Sequence, residues 1–263
     1  MTYESPYVRS NFAPRFEGKI AIVTGGGGGI GSAVCRRFAA ESACVVVTDL
    51  NGDAARDVAD RISEEGGTAH AIAADISDGA ACRVLVDEVL NRHGSIDVLV
   101  NNAGINRRGN LLSITEEDWH ASFAVNLDSM FHLCRAVLPP MIAAGGGAIV
   151  NTASQWGLYP APDHIAYNVS KAAVASFTQN LARDYAPDKI RVNAVCPGEV
   201  RTPMLESGLA RSGRTVEDLN RLVPFGRIGE PDEIAALAAF LASGEVPYLC
   251  GALIEITGAQ PVA

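Results

Sequence analysis

The chain has 263 residues, 48% of them hydrophobic and 19% charged, which is enough to bury a full core and too apolar for a disordered chain. Its net charge of −9 at neutral pH argues against nucleic acid or an anionic membrane surface as the main partner. There is no apolar run of the roughly 18 residues that span a membrane, and no hydrophobic signal segment at the start. In chain order, residues 1–17 show no periodicity and are expected to form an irregular extension. From Lys19 onward, β-branched runs alternate with amphipathic stretches. Strands are predicted at 19–24, 44–48, 68–74, 96–101, 147–152, 190–196 and 252–256. Helices are predicted at 30–41, 51–65, 78–93, 115–143, 165–186 and 231–242. This order predicts an α/β fold over residues 18–263, one domain built on a doubly wound parallel sheet of about seven strands with helices on both faces. Segment 199–229 is rich in Gly, Arg and Pro with weak helical pattern, and is expected to act as a substrate lid.

The first strand candidate, Lys19-Ile-Ala-Ile-Val23, runs into Thr24-Gly25-Gly26-Gly27-Gly28-Gly29-Ile30-Gly31 and then into a helix. A stretch without side chains forgoes packing and lets backbone approach a ligand closely. At a helix N-terminus, the usual ligand is a dinucleotide pyrophosphate, held by free N–H groups and the positive end of the helix dipole. A flexible turn would look similar, and a G-x-G-x-x-G match is cheap inside a glycine tract. The second strand strengthens the reading. Cys44-Val-Val-Val-Thr48 ends in Asp49, which follows Gly31 by 18 residues. That spacing suits a carboxylate meeting the adenosine ribose hydroxyls of a Rossmann-type nicotinamide dinucleotide site. The cysteines at 35, 44, 82, 134, 196 and 250 form no Cys-x-x-Cys pair. They read as small apolar residues in a reducing compartment, so a cytoplasmic location and no metal are expected.

In open parallel sheets, ligands bind at the carboxyl ends of strands. Three of those ends carry unusual residues here: Asn101-Asn102-Ala103-Gly104, Asn151-Thr-Ala-Ser154, and Cys196-Pro197-Gly198-Glu199-Val200-Arg201-Thr202-Pro203. Between the last two, Tyr167-Asn-Val-Ser-Lys171 opens a helix and places Tyr167 and Lys171 on one face. The pair could be an incidental helix surface. Yet only 3 of the 21 basic residues are lysines, which hints that a compact point charge is wanted at 171. A phenol titrating near 10 is a poor base at neutral pH, and a nearby ammonium favours its phenolate.

Thr24-Gly-x-x-x-Gly-Ile-Gly31, Asn101-Asn-Ala-Gly104, Ser154, Tyr167-x-x-x-Lys171 and Pro197-Gly198 together resemble the short-chain dehydrogenase/reductases, in order and spacing over residues 18–257. The resemblance implies a catalytic set of Asn126, Ser154, Tyr167 and Lys171. Tyrosine would exchange the proton with the substrate oxygen and serine would hydrogen-bond that oxygen. Lysine would bind the nicotinamide ribose while lowering the tyrosine pKa, and Asn126 would hold a water in the proton relay. It also implies that Gly25, Gly29, Ile30 and Gly31 line the pyrophosphate, with Asp75 and Ile76 at the adenine. Asn102 and Gly104 would lie beside the adenosine ribose, with Pro197, Val200 and Thr202 near the nicotinamide carboxamide. Glycines as plain turns and Asp75 as a helix cap are the bland alternatives. The last strand ends Ile256-Thr257-Gly258-Ala259 where relatives often carry Asp-Gly-Gly, a departure that bears on subunit contacts.

Beside Ser154 and Tyr167, the residues expected to face the substrate are Gln155, Trp156, His164, Glu199, Arg107 and Arg108. Trp156 and His164 could equally pack a loop, and the arginines could be solvated surface charges. A carboxylate at Glu199 needs a partner if it is buried. The set is polar and suits a sugar, polyol or sugar acid better than a steroid or acyl chain. The expected activity is hydride transfer between NAD and a secondary alcohol or ketone. A 3-oxoacyl (acyl-carrier-protein) reductase is the in-class alternative, against which Asp49 and the acidic charge both speak. A non-catalytic dinucleotide-binding protein would show damage at the serine, tyrosine or lysine, and none is damaged. Small apolar faces at Ala172-Ala-Val-Ala175 and Ala235-Ala-Leu-Ala-Ala239 suggest close helix packing in a homotetramer, unless they only cover the sheet.

Overall fold

The structure is a computed structural model in which residues 14–260 are described. Seven strands alternate with helices: β1 Ile20–Thr24, α1 Gly29–Ala40, β2 Cys44–Asp49, α2 Gly52–Glu64, β3 Thr68–Ala73, α3 Gly79–His93, β4 Val98–Asn101, α4 Glu116–Phe123, α5 Ser129–Ala143, β5 Gly147–Thr152, α6 Gln155–Leu158, α7 Ile165–Tyr185, β6 Ile190–Pro197, α8 Pro203–Ser212, α9 Val216–Asn220, α10 Pro231–Ala242 and β7 Leu253–Ile256. The strands form one sheet in the order β3-β2-β1-β4-β5-β6-β7, with every pairing parallel. The order reverses between β1 and β4, and this reversal opens a crevice above the carboxyl ends of those strands.

Both faces of the sheet are covered, which is why the central strands are apolar throughout rather than alternating. On one face, α1, α2 and α10 bury Val34, Phe38, Val58 and Ile234 against Val23, Val45 and Val47. On the other, α3, α5 and α7 bury Leu85, Leu133 and Leu181 against Ile22, Val46 and Ile149. Helix starts follow local chemistry. The Asn51 side chain accepts from the amides of Asp53 and Ala54, Asp78 from Ala80 and Ala81, and Thr115 from Asp118, each satisfying donors a helix leaves open. Gly94 closes α3 in the left-handed region with φ 77°.

One expectation is corrected and two gain detail. Residues 1–13 of the expected extension lie outside the described residues, but Phe16 is 2% exposed and stacks on Phe38 with ring centroids 4.6 Å apart. Beside it, Arg15 pairs with the buried carboxylate of Glu41, so this end of the chain is part of the core. The single helix expected over 115–143 is interrupted by a π-helical turn at Ala124–Asp128, centred on the fully buried Asn126. Segment 199–229 contains α8 and α9, which share a small core of Leu209, Leu219, Val223 and Ile228. Its helices lacked an obvious stripe because their apolar residues face one another across a turn rather than the sheet.

Candidate active site

The glycine-rich turn after β1 lies in the crevice at the strand-order reversal. It is tied to β2 by Gly26 N–H to the Thr48 carbonyl and Gly27 N–H to Asp49 Oδ2, both 3.0 Å. A Cβ on Gly31 would stand 2.0 Å from the Gly25 carbonyl oxygen, and one on Gly25 would stand 2.9 Å from Ala103 Cα, so neither position admits a side chain. Gly28 caps α1 with no side-chain hydrogen bond and open space where its Cβ would be, and the first turn carries no acid. This leaves an unscreened helix N-terminus facing the crevice, a cradle that fits a pyrophosphate. Asp49 accepts Gly27 N–H on one oxygen and Asn51 N–H (2.9 Å) on the other, which orients the carboxylate at the crevice edge with lone pairs to spare.

Other expected cofactor residues have mixed surroundings. Asn102 donates from Nδ2 to the carbonyls of Thr24 (3.1 Å) and Gly25 (3.4 Å), so its side chain anchors the glycine turn. Thr24 Oγ1 accepts the amides of Asn102 and Ala103, which stitches β1 to β4. Asp75 is exposed and accepts from the amide and hydroxyl of Ser77, while Ile76 is buried; the cap of α3 is Asp78, so the alternative of Asp75 as helix cap falls away. Thr202 caps α8, and its Cγ2 would be 3.4 Å from a Cβ on Gly29, so the start of α8 lies directly against the glycine turn. Val200 is buried and held by a bridge to Gly229.

Ser154, Tyr167 and Lys171 converge beside Gly104 and Asn126. Ser154 caps α6, accepting the Trp156 amide at 3.1 Å, and is hydrogen-bonded to the Tyr167 hydroxyl. Lys171 is 2% exposed; its Nζ donates to the Thr152 carbonyl at 2.7 Å and sits 5.8 Å from the Tyr167 ring centre. A Cβ on Gly104 would be 3.3 Å from Asn126 Oδ1 and 3.4 Å from Lys171 Nζ, so these groups share one small space. Asn126 donates to the Ile105 carbonyl (3.0 Å) and Ser170 Oγ (2.9 Å) and accepts the Ile105 amide (2.8 Å). Both of its side-chain N–H groups are therefore spent on protein, and it locks the loop after β4 onto α7.

The electrostatics depart from the simple expectation for Tyr167. Burial raises its pKa, the hydrogen bond to Ser154 opposes this, and the Glu199 charge raises it further. Burial pushes Lys171 down to about 8, and among the described residues no carboxylate opposes this. The ammonium thus does not outweigh desolvation at Tyr167.

The expected substrate residues separate into two groups. Trp156 packs between His164, with ring centroids 4.7 Å apart, and Tyr167, edge-on at 6.0 Å. His164 is buried, its Nδ1 is 2.9 Å from Asn106 Oδ1, and burial and Arg108 lower its pKa, so the aromatic pair forms one neutral wall beside the tyrosine. Glu199 has its pKa raised by burial, an effect opposed by the nearby charges of Arg214 and Arg108. Gln155 and Arg107 each have a protein partner. Gln155 is buried and donates to Gln260 Oε1 at 3.0 Å, and Arg107 pairs with Asp118 of α4 at 3.3 Å on the surface. Gln155 lies against the Pro197–Gly198 turn, where a Cβ on Gly198 would be 3.2 Å from its Oε1.

A family model for short chain dehydrogenases matches residues 19–212. The chain belongs to this family. It is 38% identical over 244 residues to a 3-oxoacyl-[acyl-carrier-protein] reductase of Thermotoga maritima, covering 93% of this chain and 98% of the relative. It is 36% identical over 252 residues to a D-threitol dehydrogenase of Mycolicibacterium smegmatis, covering 96% of each. It is 39% identical over 251 residues to the oxidoreductase UcpA of Salmonella typhimurium, covering 93% of this chain and 95% of the relative. This short-chain dehydrogenase is therefore an oxidoreductase of a family that uses a nicotinamide dinucleotide.

Several residues of the dehydrogenase site were missed from sequence. A Cβ on Gly157 would stand 2.6 Å from the Lys171 carbonyl carbon, so this glycine lets α6 press Ser154 against α7. Asn101, Asn151 and Thr178 form a buried chain of hydrogen bonds, 2.9 Å each, that ties α7 to β4 and β5. The charge of Arg214, in the turn before α9, lowers the Glu199 pKa from a point no strand-end rule indicates. The signal for Gly157 was a glycine just after the Ser154 strand end; Arg214 had none beyond its place in segment 199–229.

Proposed function

We propose that this short-chain dehydrogenase moves hydride between NAD and a polar secondary alcohol or ketone, a sugar, polyol or sugar acid. The observation that carries this reading is the partly buried Glu199 carboxylate, whose charge reaches Tyr167 beside the His164–Trp156 wall. A cleft for a hydrocarbon would not enclose a carboxylate, because burying one without a partner is costly; the two arginines, Arg108 and Arg214, are exposed, and their charges oppose the effect of burial on Glu199. Tyr167 exchanges the proton with the substrate oxygen, Ser154 hydrogen-bonds the same oxygen, and Lys171 orients the nicotinamide ribose. Asn126 holds this constellation in place. Gly25, Gly29, Ile30 and Gly31 take the pyrophosphate and Asp49 the adenosine ribose. Asp75 and Ile76 border the adenine, Asn102 and Gly104 the ribose side, and Pro197, Val200 and Thr202 the carboxamide. The nicotinamide, when bound, supplies the hydride chemistry.

The decisive experiment is a cofactor-reduction screen over polyols, sugars, sugar acids and 3-hydroxyacyl thioesters. Polyol or sugar turnover with NAD supports the reading. A strong preference for acyl thioesters with NADPH would replace it with the 3-oxoacyl reductase reading, which the Thermotoga relative's name favours. A carboxylate accepting two substrate hydroxyls gains about 1.5–3 kcal/mol from each. Glu199→Gln is therefore expected to raise KM for the polar substrate at least about tenfold while leaving the NAD dissociation constant unchanged. Arg108→Ala should weaken acidic substrates more than neutral ones. Unchanged KM in both variants would remove these residues from the substrate site.

A homotetramer in the cytoplasm completes the proposal. All six cysteines are free, which suits a reducing compartment, and among the described residues no helix is long and apolar enough to cross a membrane. On α10, Ala235, Ala238 and Ala239 are buried against the protein's own core, while Ala236 and Leu237 are half-buried. On α7, Ala175 is buried, but Ala172 and Val169 face outward, as does Phe131 of α5 at 46% exposure. Sedimentation at micromolar concentration is expected to show four chains per particle, and a monomer would refute the assembly.

A further inference from the structure

A second cluster of reactive side chains lies at the opposite end of the sheet from the nicotinamide crevice. Cys44 opens β2, His70 lies on β3, and His93 is the last residue of α3. The β2–β3 register sets Cys44 opposite Thr68 and Val46 opposite His70. Side chains alternate along a strand, so Cys44 and His70 project from the same face, two residues out of step. It is the face that α3 covers, where Val46 is buried with Leu85, Val86 and Val89, and the last turn of α3 brings His93 over the pair. The His70 and His93 rings stack with centroids 5.2 Å apart and planes at 24°. Cys44 Sγ is 4.0 Å from His93 Nδ1, and one ligand atom from each of the three residues lies within 4.8 Å of the other two.

A packing role accounts for the burial but not for two imidazoles and a thiol aiming heteroatoms at one point. We infer that Cys44, His70 and His93 form a binding site for a thiophilic divalent cation, zinc being the best match, with a fourth position open to water. Tetrahedral zinc, with bonds of about 2.3 Å to sulfur and 2.0–2.1 Å to nitrogen, sets S···N near about 3.6 Å. The trio needs only small side-chain rotations to reach that spacing. The chemistry is ready for a cation. Burial and the neighbouring Arg92 lower both imidazole pKa values, which keeps their ligand nitrogens unprotonated. Burial raises the Cys44 thiol, Arg92 lowers it, and cation binding displaces its proton: the S–H bond breaks, the S–metal bond forms, and one proton passes to the buffer. Cys44 and Asp49 are the two ends of one strand, about 16 Å apart at a rise of about 3.3 Å per residue, so the cation would clamp β2, β3 and α3 rather than join the redox chemistry.

The test uses the full chain without an affinity tag, stripped by a chelator and titrated with Co²⁺ and then Zn²⁺. One Co²⁺ per chain is expected, with a thiolate-to-cobalt charge-transfer band, tetrahedral visible bands and one proton released, all displaced by Zn²⁺. Cys44→Ser should abolish the charge-transfer band, and His70→Gln or His93→Gln should weaken Zn²⁺ at least about tenfold, the lower bound for losing even an outer-shell partner of a metal. Wild-type protein that shows no band or releases no proton overturns the site, whatever the variants do. So does a band that survives Cys44→Ser, since another thiol would then be the ligand.

Discussion

Tyr167→Phe is expected to cut the turnover number for alcohol oxidation at least about a hundredfold, the span general acid–base catalysis usually contributes, with little change in NAD affinity. The phenol is the one hydroxyl here that is both hydrogen-bonded to Ser154 and beside the Lys171 ammonium. The phenyl ring keeps the packing against Trp156 while removing the proton acceptor. Lys171→Ala should damage turnover and NAD affinity together, because it strips both the charge near the phenol and the anchor on the Thr152 carbonyl. The pH dependence has a definite sign. Burial raises Tyr167, so the phenol dominates at neutral pH and oxidation, which needs a proton acceptor, should accelerate as pH rises. Ketone reduction draws on the protonated phenol and should slow over the same range. Steady-state kinetics in both directions from pH 6 to about 10.5 would check this. Activity above a few percent of wild type in Tyr167→Phe would remove the tyrosine from the proton path.

Preference for NAD over NADP is expected to be at least about tenfold in kcat/KM, or about 1.4 kcal/mol. The cause is Asp49. Its carboxylate is fixed by the Gly27 and Asn51 amides at the end of β2, so it cannot swing away from a 2′-phosphate, which it would repel. No basic residue lies in Gly25–Gly31 to compensate. Asp49→Ala should narrow the ratio and also weaken NAD, because Gly27 N–H loses its acceptor and the glycine turn its tether. Asp49→Asn should narrow the ratio while keeping an acceptor for one amide, which separates charge from loop order. Equal kcat/KM for the two cofactors in the wild-type protein would refute the role.

The parallel α/β architecture was legible because local sequence reports it. Val-rich strands of five or six residues and glycine after β1 are signals read over a few residues, and each predicted strand and helix boundary falls within about two residues of its expected place, the usual scatter of helix and strand ends, whereas α6, α8 and α9 were not predicted. The candidate site was legible to the same extent, since Ser154, Tyr167 and Lys171 stand at strand ends and at a fixed helical spacing. What depends on partners distant in the chain was not. The π-helical turn exists around Asn126, whose hydrogen-bonding partners are Ile105 and Ser170, and no periodicity within 115–143 encodes them. Gln155 bonds Gln260 and Arg107 pairs with Asp118, while the charge of Arg214 reaches Glu199 from within segment 199–229. Cys44, His70 and His93 lie on three successive elements with no metal-ligand spacing, and only strand register and the docking of α3 bring them together. Backbone periodicity and capping are short-range and survive in the one-dimensional chain. The direction a polar side chain takes is settled by which distant donor or acceptor the folded sheet sets beside it, and only the tertiary structure decides that.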